Sequence, residues 1–215
     1  MTPGRGWKDS PTGPESPTGY AILGGTKTFP VGTLQEVAVV DENEVEEAPE
    51  HLTPAEAAAL PLTGLTGWRA LISKSGNAEA GRNILITGIG GGVALNVLQF
   101  AVGLGANAYV TSGSQDKIDK AKSMGAKGGV SYKADGWEKE LKKQLPKDRP
   151  YLDAIIDGAG GNVISKAARL LKVSYSPNFR FLNQALMCFS ARWYRSAIRH
   201  DCCPENGLDY ERCPS

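Results

Sequence analysis

Short apolar segments alternate with amphipathic segments along the middle of the chain. The apolar segments have the length and composition of buried strands, at residues 83–87, 107–112, 128–132 and 152–157. Each is followed by a segment with apolar residues three or four positions apart, which predicts helices over residues 92–104, 115–124, 135–145 and 162–172. Apolar strands alternating with helices predict an α/β fold, in which a parallel sheet carries helices on both faces. Right-handed crossovers give these four strands the order 3-2-1-4.

Two further helices are predicted before the first strand. Thr53 has the sequence context of an N-cap, because Pro54 follows it at the first helical position and Glu56 completes a capping box. Pro61 is expected to end this helix. The next segment, "TGLTGWRALISKSG", predicts a second helix that is closed by Gly76.

The two ends of the chain lack this alternation. Residues 1–30 are rich in Pro, Gly, Ser and Thr and are expected to be irregular, whereas the β-branched residues in 33–45 predict one or two short strands. After residue 172 the periodicity stops, so residues 173–215 are predicted to form a poorly ordered, irregular tail with at most a short helix near 182–199. A complete dinucleotide-binding fold has about six strands, so we expect an incomplete fold whose fourth strand is an exposed edge unless the tail covers it.

Composition and charge exclude several classes of function. The 215 residues carry a formal net charge of +1, which gives no reason to expect a nucleic-acid or membrane-surface partner. No apolar run approaches the ~18 residues that span a bilayer. All 4 cysteines follow residue 187, an arrangement that favours a reducing, cytoplasmic compartment over a disulfide scaffold.

A glycine-rich turn, "TGIGGGVALN", joins the first strand of the alternating region to its helix. Gly88, Gly91 and Ala94 give the spacing G-x-x-G-x-x-A, which departs from the strict G-x-G-x-x-G fingerprint. Backbone N–H groups at such a turn can bind a pyrophosphate, and a small third residue permits close packing of helix and strand. The alternative is a tight turn that holds no ligand.

The end of the second strand indicates which nucleotide the turn would bind. NAD-binding proteins place an acidic residue there for the ribose 2′-hydroxyl, whereas this chain has Ser112, Gly113 and Ser114. Lys117 follows within one helical turn and could match the charge of a 2′-phosphate. This pattern favours NADP over NAD, and also over S-adenosylmethionine, whose methyltransferases use an acidic residue at this place.

Several of these segments occur in the order and spacing of a known family. "LPLTGLTGWRAL", "GRNILITGIGGGVALNVLQFA", "TSGSQDKIDKAKSMGAKGGVSY" and "LDAIIDGAGG" resemble the medium-chain dehydrogenase/reductases over about residues 30–172. The resemblance is closest to the zinc-free, NADP-dependent, quinone oxidoreductase-like branch. It implies a remnant of a chaperonin-10-like catalytic domain with linking helices at 31–75, and an incomplete NADP-binding Rossmann domain at 76–172.

The resemblance also implies an activity and a set of cofactor-binding residues. Family members transfer hydride from NADPH to a small-molecule quinone, enone or aldehyde. By position, Thr66 would lie near the nicotinamide, and Gly158 would face the cofactor. The pyrophosphate would be lined by Gly91, Gly92 and Val93. The 2′-phosphate would be held by Gly113, Lys117 and Tyr132. The cofactor-binding set also includes two turn residues, Gly88 and Ser112.

The sequence departs from the family in ways that limit these expectations. The first strands of the family's catalytic domain have no counterpart in this sequence. The zinc ligands of the zinc-dependent branch lie in that region, so we expect no metal site. We identify no catalytic residue. The family is usually dimeric through a sixth strand that this sequence does not show. Two hypotheses therefore remain, an NADPH-dependent oxidoreductase and a non-catalytic remnant that binds NADP weakly or not at all.

Overall fold

The computed structural model describes residues 45–172 continuously, residues 32, 34–40 and 42, and the backbone of residues 186–188. The predicted irregular segment at 1–30 and most of the predicted tail lie outside the described residues. Within the described part, the chain forms five α-helices and five strands, besides a π-helical segment at Arg69–Lys74 and a 3-10 helix at Ala168–Leu170. The helices are α1 (Pro54–Trp68), α2 (Gly92–Gly103), α3 (Gln115–Ser123), α4 (Trp137–Gln144) and α5 (Val163–Ala167). The strands are β1 (Asn83–Ile86), β2 (Asn107–Ser112), β3 (Gly128–Ser131), β4 (Ala154–Asp157) and β5 (Leu186–Cys188).

The strands form one parallel sheet with the order β3-β2-β1-β4-β5, which confirms the predicted order of the first four. Side chains alternate between the two faces of the central strand β1. Ile84 and Ile86 join one buried cluster with α2 and α3, while Leu85 joins another with α4 and α5. Helices therefore cover both faces, as the continuous apolar strands predicted.

The fifth strand corrects the expectation that β4 is an exposed edge. In the structure β5 pairs with β4 in parallel register, with Ile155 opposite Leu186 and Asp157 opposite Cys188. The prediction failed because the short apolar run around residue 187 was interpreted as part of a helix. A run of this length does not distinguish a buried strand from a buried helical turn.

Helix α1 begins as predicted but does not end at Pro61. The Thr53 hydroxyl accepts a hydrogen bond from the Glu56 N–H at 3.3 Å, and the Thr53 N–H donates to the Glu56 carboxylate at 2.9 Å, which completes the capping box. The helix then continues through Pro61 to Trp68, widens into a π-helical segment at Arg69–Lys74, and is followed by Gly76 with a φ of 61°. The two predicted helices are therefore one continuous helical segment.

Close packing against α2 accounts for this continuity. A Cβ added at Gly67 would lie 3.2 Å from Val97 Cγ2 and 3.5 Å from the Val93 carbonyl oxygen, so the two helix backbones approach closely at this glycine. Trp68 meets Phe100 edge to face, with ring centroids 5.7 Å apart. These contacts offset the loss of the backbone hydrogen bond that Pro61 removes from the helix. The expectation that proline ends a helix takes account only of that local loss and not of packing between helices.

The described residues within 33–45 do not show the predicted strands. The described residues of this segment, 34–40, 42 and 45, contain no strand, and Leu34, Val37 and Val39 are almost fully exposed. No other segment of the described chain pairs with them. A sequence with β-branched residues becomes a strand only when a neighbouring strand satisfies its backbone groups and covers its side chains.

Candidate functional site

The glycine-rich turn lies at the carboxyl edge of the sheet, directly after β1. Gly88 has a φ of +64° and Gly90 a φ of +119°, backbone conformations that side chains with a Cβ rarely adopt. The turn also lies close to the turn after β4, because a Cβ at Gly88 would approach the Ala159 Cβ to 3.1 Å. The chain reverses tightly here, and the turn is held to β2 because the Ile89 N–H donates to the Thr111 carbonyl oxygen at 2.9 Å.

Helix α2 begins at this turn without a side-chain cap. Gly91 is the N-cap residue, and no side chain bonds the first N–H groups of the helix. These N–H groups and the positive end of the helix dipole would favour an anion. This helix N-terminus lies where the sequence predicts a pyrophosphate, and the binding itself stays a prediction.

Gly92 and Val93 have structural roles in addition to the predicted contact with a ligand. A Cβ at Gly92 would lie 2.7 Å from Thr63 Cγ2, so this position must be small for α1 to pack against α2. The Val93 side chain is partly buried against the first core cluster, which leaves its backbone as the part available to a ligand. Thr63, which sequence reasoning did not identify, also accepts a hydrogen bond from the Asn96 amide at 3.2 Å.

A buried network joins the turn after β1 to the turn after β4. The Thr87 hydroxyl donates to the fully buried Asp157 carboxylate and accepts a hydrogen bond from the Gly158 N–H at 3.3 Å. The other Asp157 oxygen accepts from the Gly160 N–H at 3.0 Å. A Cβ at Gly158 would meet no atom within 4 Å, so this glycine faces open space at the predicted cofactor side. Sequence reasoning had assigned no role to Thr87 or Asp157.

The turn after β2 brings together two of the three residues that were predicted to bind a 2′-phosphate, and one that was not predicted. A Cβ at Gly113 would lie 2.9 Å from the Tyr132 hydroxyl oxygen and 2.8 Å from Lys133 Cε. Lys117, on the first turn of α3, lies instead over the glycine-rich turn, since a Cβ at Gly90 would be 2.9 Å from its Cδ and 3.3 Å from its Nζ. Lys133 was missed although it directly follows Tyr132 in the sequence.

Ser112 and Thr66 are less directly placed for ligand binding. Ser112 is buried, and its hydroxyl oxygen accepts a hydrogen bond from the Ser114 N–H at 3.2 Å, which shapes the turn after β2. Thr66 is half-buried on α1, and in the described part of the chain its hydroxyl forms no hydrogen bond.

The titratable side chains with shifted pKa values lie away from these turns. The pKa of Glu56 is lowered by its hydrogen bonds to Thr53, and the pKa of Arg82 is raised mainly by its hydrogen bond to Glu79. Burial raises the pKa of Tyr109, which is located in the second core cluster. Among the described residues, no group of three or more His, Cys, Asp or Glu side chains could hold a metal ion, and no helix has the length and hydropathy to cross a membrane.

Comparison with known proteins shows which proteins this chain is similar to. Residues 92–174 match the family model described as zinc-binding dehydrogenase. The zinc-type alcohol dehydrogenase-like protein YogA of Leptosphaeria maculans is 53% identical over 175 residues, covering 80% of this chain and 49% of that protein. A mitochondrial NAD(P)H oxidoreductase of Bos taurus is 36% identical over 145 residues, covering 66% of this chain and 35% of that protein.

Solved structures show the same fold. An NAD-dependent alcohol dehydrogenase superposes with a TM-score of 0.66 and 28% identity, covering 84% of this chain and 56% of that one. The chain thus spans about half the length of the curated relative YogA, at 49%. Residues 92–174 thus carry a zinc-binding dehydrogenase domain, and the chain is similar to part of the zinc-type alcohol dehydrogenase-like proteins, with the fold of the medium-chain dehydrogenase/reductases.

Proposed function

We propose that this chain contributes the NADPH-binding part of an oxidoreductase that reduces a small quinone, enone or aldehyde. The observation that carries the proposal is the turn after β2, where Gly113 is flanked by the Tyr132 hydroxyl and a lysine side chain and no acidic residue ends the strand. A carboxylate there would bind a ribose 2′-hydroxyl and repel a 2′-phosphate. The relative named as an NAD(P)H oxidoreductase supports a nicotinamide cofactor.

The carboxyl edge of the sheet fits such a cofactor. The uncapped N-terminus of α2 offers N–H groups to the pyrophosphate, with Lys117 beside them, and the open space at Gly158 admits the nicotinamide half. The network of Thr87 and Asp157 holds these two turns at a fixed separation. The bound cofactor would supply the hydride, and the protein would contribute binding, orientation and exclusion of water.

A titration of the purified chain with NADPH, NADH and S-adenosylmethionine tests the proposal. We expect NADPH to bind more tightly than NADH, and S-adenosylmethionine not to bind. Lys117→Ala should weaken NADPH binding by about tenfold, because a charge-assisted contact to phosphate is worth roughly 1.5 kcal/mol near a partly exposed site. Equal affinity for NADPH and NADH in the wild-type chain would refute the choice of cofactor.

The second hypothesis, a non-catalytic remnant, is favoured by one structural observation. The segment 34–40, which belongs to the predicted catalytic remnant, forms no strand. Consumption of NADPH with a quinone or an enone distinguishes the two hypotheses, because a remnant could bind NADPH but would not oxidise it. A cytoplasmic location also stays a prediction, to be checked by cell fractionation against the mitochondrial location named for the Bos taurus relative.

A further inference from the structure

We infer that the outer edge of β3 is a strand-pairing surface, and that the side chain of Gln144 keeps this edge closed to a second copy of the chain. The inference is independent of the proposed cofactor, because neither Gln144 nor its partner Gly129 belongs to the candidate cofactor site. It concerns how the protein stays separate from other copies of itself.

Strand β3 is the last strand on its side of the described sheet, so it has a neighbouring strand on one side only. Alternate residues of a parallel strand direct both their N–H and their carbonyl group to the same side. The Tyr132 N–H donates to the Ser112 carbonyl oxygen of β2 at 3.2 Å, so the groups of Gly129 and Ser131 point to the open side. The Ser131 carbonyl oxygen accepts a hydrogen bond from the Ala134 N–H at 3.1 Å, within a turn. Gly129 is therefore the residue that would offer both of its backbone groups to an added strand.

The side-chain amide of Gln144 bonds both of these groups. The Gly129 N–H donates to Gln144 Oε1 at 2.9 Å, and Gln144 Nε2 donates to the Gly129 carbonyl oxygen at 3.3 Å. A side-chain amide carries the same kinds of donor and acceptor as a peptide group. Gln144 thus occupies the place that one peptide group of an added strand would take.

The end of α4 holds Gln144 in this position. Leu141 and Leu145, on either side of it along the chain, are buried in the second core cluster. The Tyr109 hydroxyl donates to the Gln144 carbonyl oxygen at 3.3 Å, which fixes the backbone at the end of the helix. Gly128 leaves room for the side chain, because a Cβ at this position would overlap Gln144 Oε1. A packed helix end therefore presents the amide, and the strand has the space to receive it.

Without this amide, β3 would be open to pairing with another chain. The strand has 4 residues, of which Gly128 and Gly129 have no side chain to block an approaching strand. Unprotected edges of this kind pair with other chains, and proteins commonly cover them with a helix or a loop. Two copies related by a two-fold axis could align their β3 edges antiparallel, each bonding the Gly129 groups of the other.

The test shortens the side chain of Gln144 by one methylene group. Gln144→Asn keeps an amide but withdraws it from Gly129, and Gln99→Asn makes the same change at an exposed position of α2 as a matched control. Both variants are compared with the wild-type chain by sedimentation velocity over a range of protein concentrations. Amide hydrogen exchange of the Gly129 N–H is measured at the lowest of these concentrations. Association of the wild type through any other surface is common to all samples and cancels in the comparison.

We expect Gln144→Asn to raise the association constant of the dimer at least about tenfold and to speed exchange of the Gly129 N–H about tenfold. Gln99→Asn should change neither quantity. Adding Ser131→Pro to Gln144→Asn removes an N–H on the open side of β3, where proline is tolerated, and should return association to the wild-type level.

The inference is wrong if either association or exchange stays at the wild-type level in Gln144→Asn. It is also wrong if the stronger association persists after Ser131→Pro is added, because the copies would then meet through another surface. Should Gln144→Asn not fold, the wild type decides. Protection of its Gly129 N–H by about tenfold or more supports the inference, and exchange at the rate of an unprotected amide overturns it.

Discussion

Removing the Thr87 hydroxyl should disrupt both the stability of the domain and the geometry of its candidate cofactor site. Thr87→Val keeps the size of the side chain but removes the donor to Asp157 and the acceptor for the Gly158 N–H. Thr87 is 1% exposed and Asp157 fully buried, so water cannot easily replace either partner.

The expected loss follows from these two hydrogen bonds. A buried N–H left without an acceptor costs ~1–2 kcal/mol, and a buried carboxylate that loses one donor costs about as much, so we expect a destabilisation of roughly 3 kcal/mol. Asp157 keeps the hydrogen bond from the Gly160 N–H, which limits the loss. For a domain of this size the midpoint of thermal unfolding should fall by roughly 10 °C.

Urea unfolding of Thr87→Val and Thr87→Ser, followed by calorimetric titration with NADPH, checks this reasoning. Thr87→Ser keeps the hydroxyl, so it should recover most of the stability lost in Thr87→Val, and its affinity for NADPH should stay near that of the wild type. A structural role confined to the core would lower stability without changing NADPH affinity at a temperature where the protein is folded. A loss below about 0.5 kcal/mol for Thr87→Val would refute the assignment of a buried, coupled network.

Two further predictions concern the first helix and its contact with the glycine-rich turn. Gly92→Ala should destabilise the protein by ~1–3 kcal/mol, because its Cβ would lie 2.7 Å from Thr63 Cγ2, and adding Thr63→Ala should restore part of the loss in a double-mutant cycle of urea unfolding. The pKa of Glu56 is lowered in the folded protein from the ordinary value of 4.5, so its stabilising contribution is present above pH 4.5 and lost as the pH falls through the lowered pKa. Glu56→Gln should therefore flatten the dependence of the thermal midpoint on pH in this acidic range, and an unchanged pH profile would contradict the capping role.

The sequence predicted the parts of the fold that local pattern determines. The strands β1 to β4 and their helices follow from apolar periodicity, and Thr53 with Glu56 predicted the start of α1. The end of α1 could not be predicted in this way, because Pro61 remains helical through contacts between α1 and α2. Strand formation in β5, and its absence in residues 34–40, likewise depends on which distant segment offers a partner.

The candidate site shows the same division between local and distant information. Gly88, Gly113 and Lys117 are recognisable from a strand, a turn and a helix in sequence. Thr87 became identifiable only when the structure placed Asp157, 70 positions later, within hydrogen-bond distance. Lys133 could have been found by counting the register of β2 and β3, since the residue after Tyr132 must lie beside the end of β2.

The glycines of the site are explained largely by contacts within the protein, which changes how such a motif should be weighed. Gly92 makes room for Thr63, and Gly113 makes room for Tyr132 and Lys133. A turn that bound no ligand would need the same small residue at Gly92 for packing, so that glycine is weak evidence for a nucleotide. Gly113 is different, because the side chains it admits end in a hydroxyl and an ammonium at the surface. A hydroxyl and an ammonium without an acidic partner among the described residues add little to folding, so Gly113 is the glycine whose substitution bears most directly on the proposed anion site.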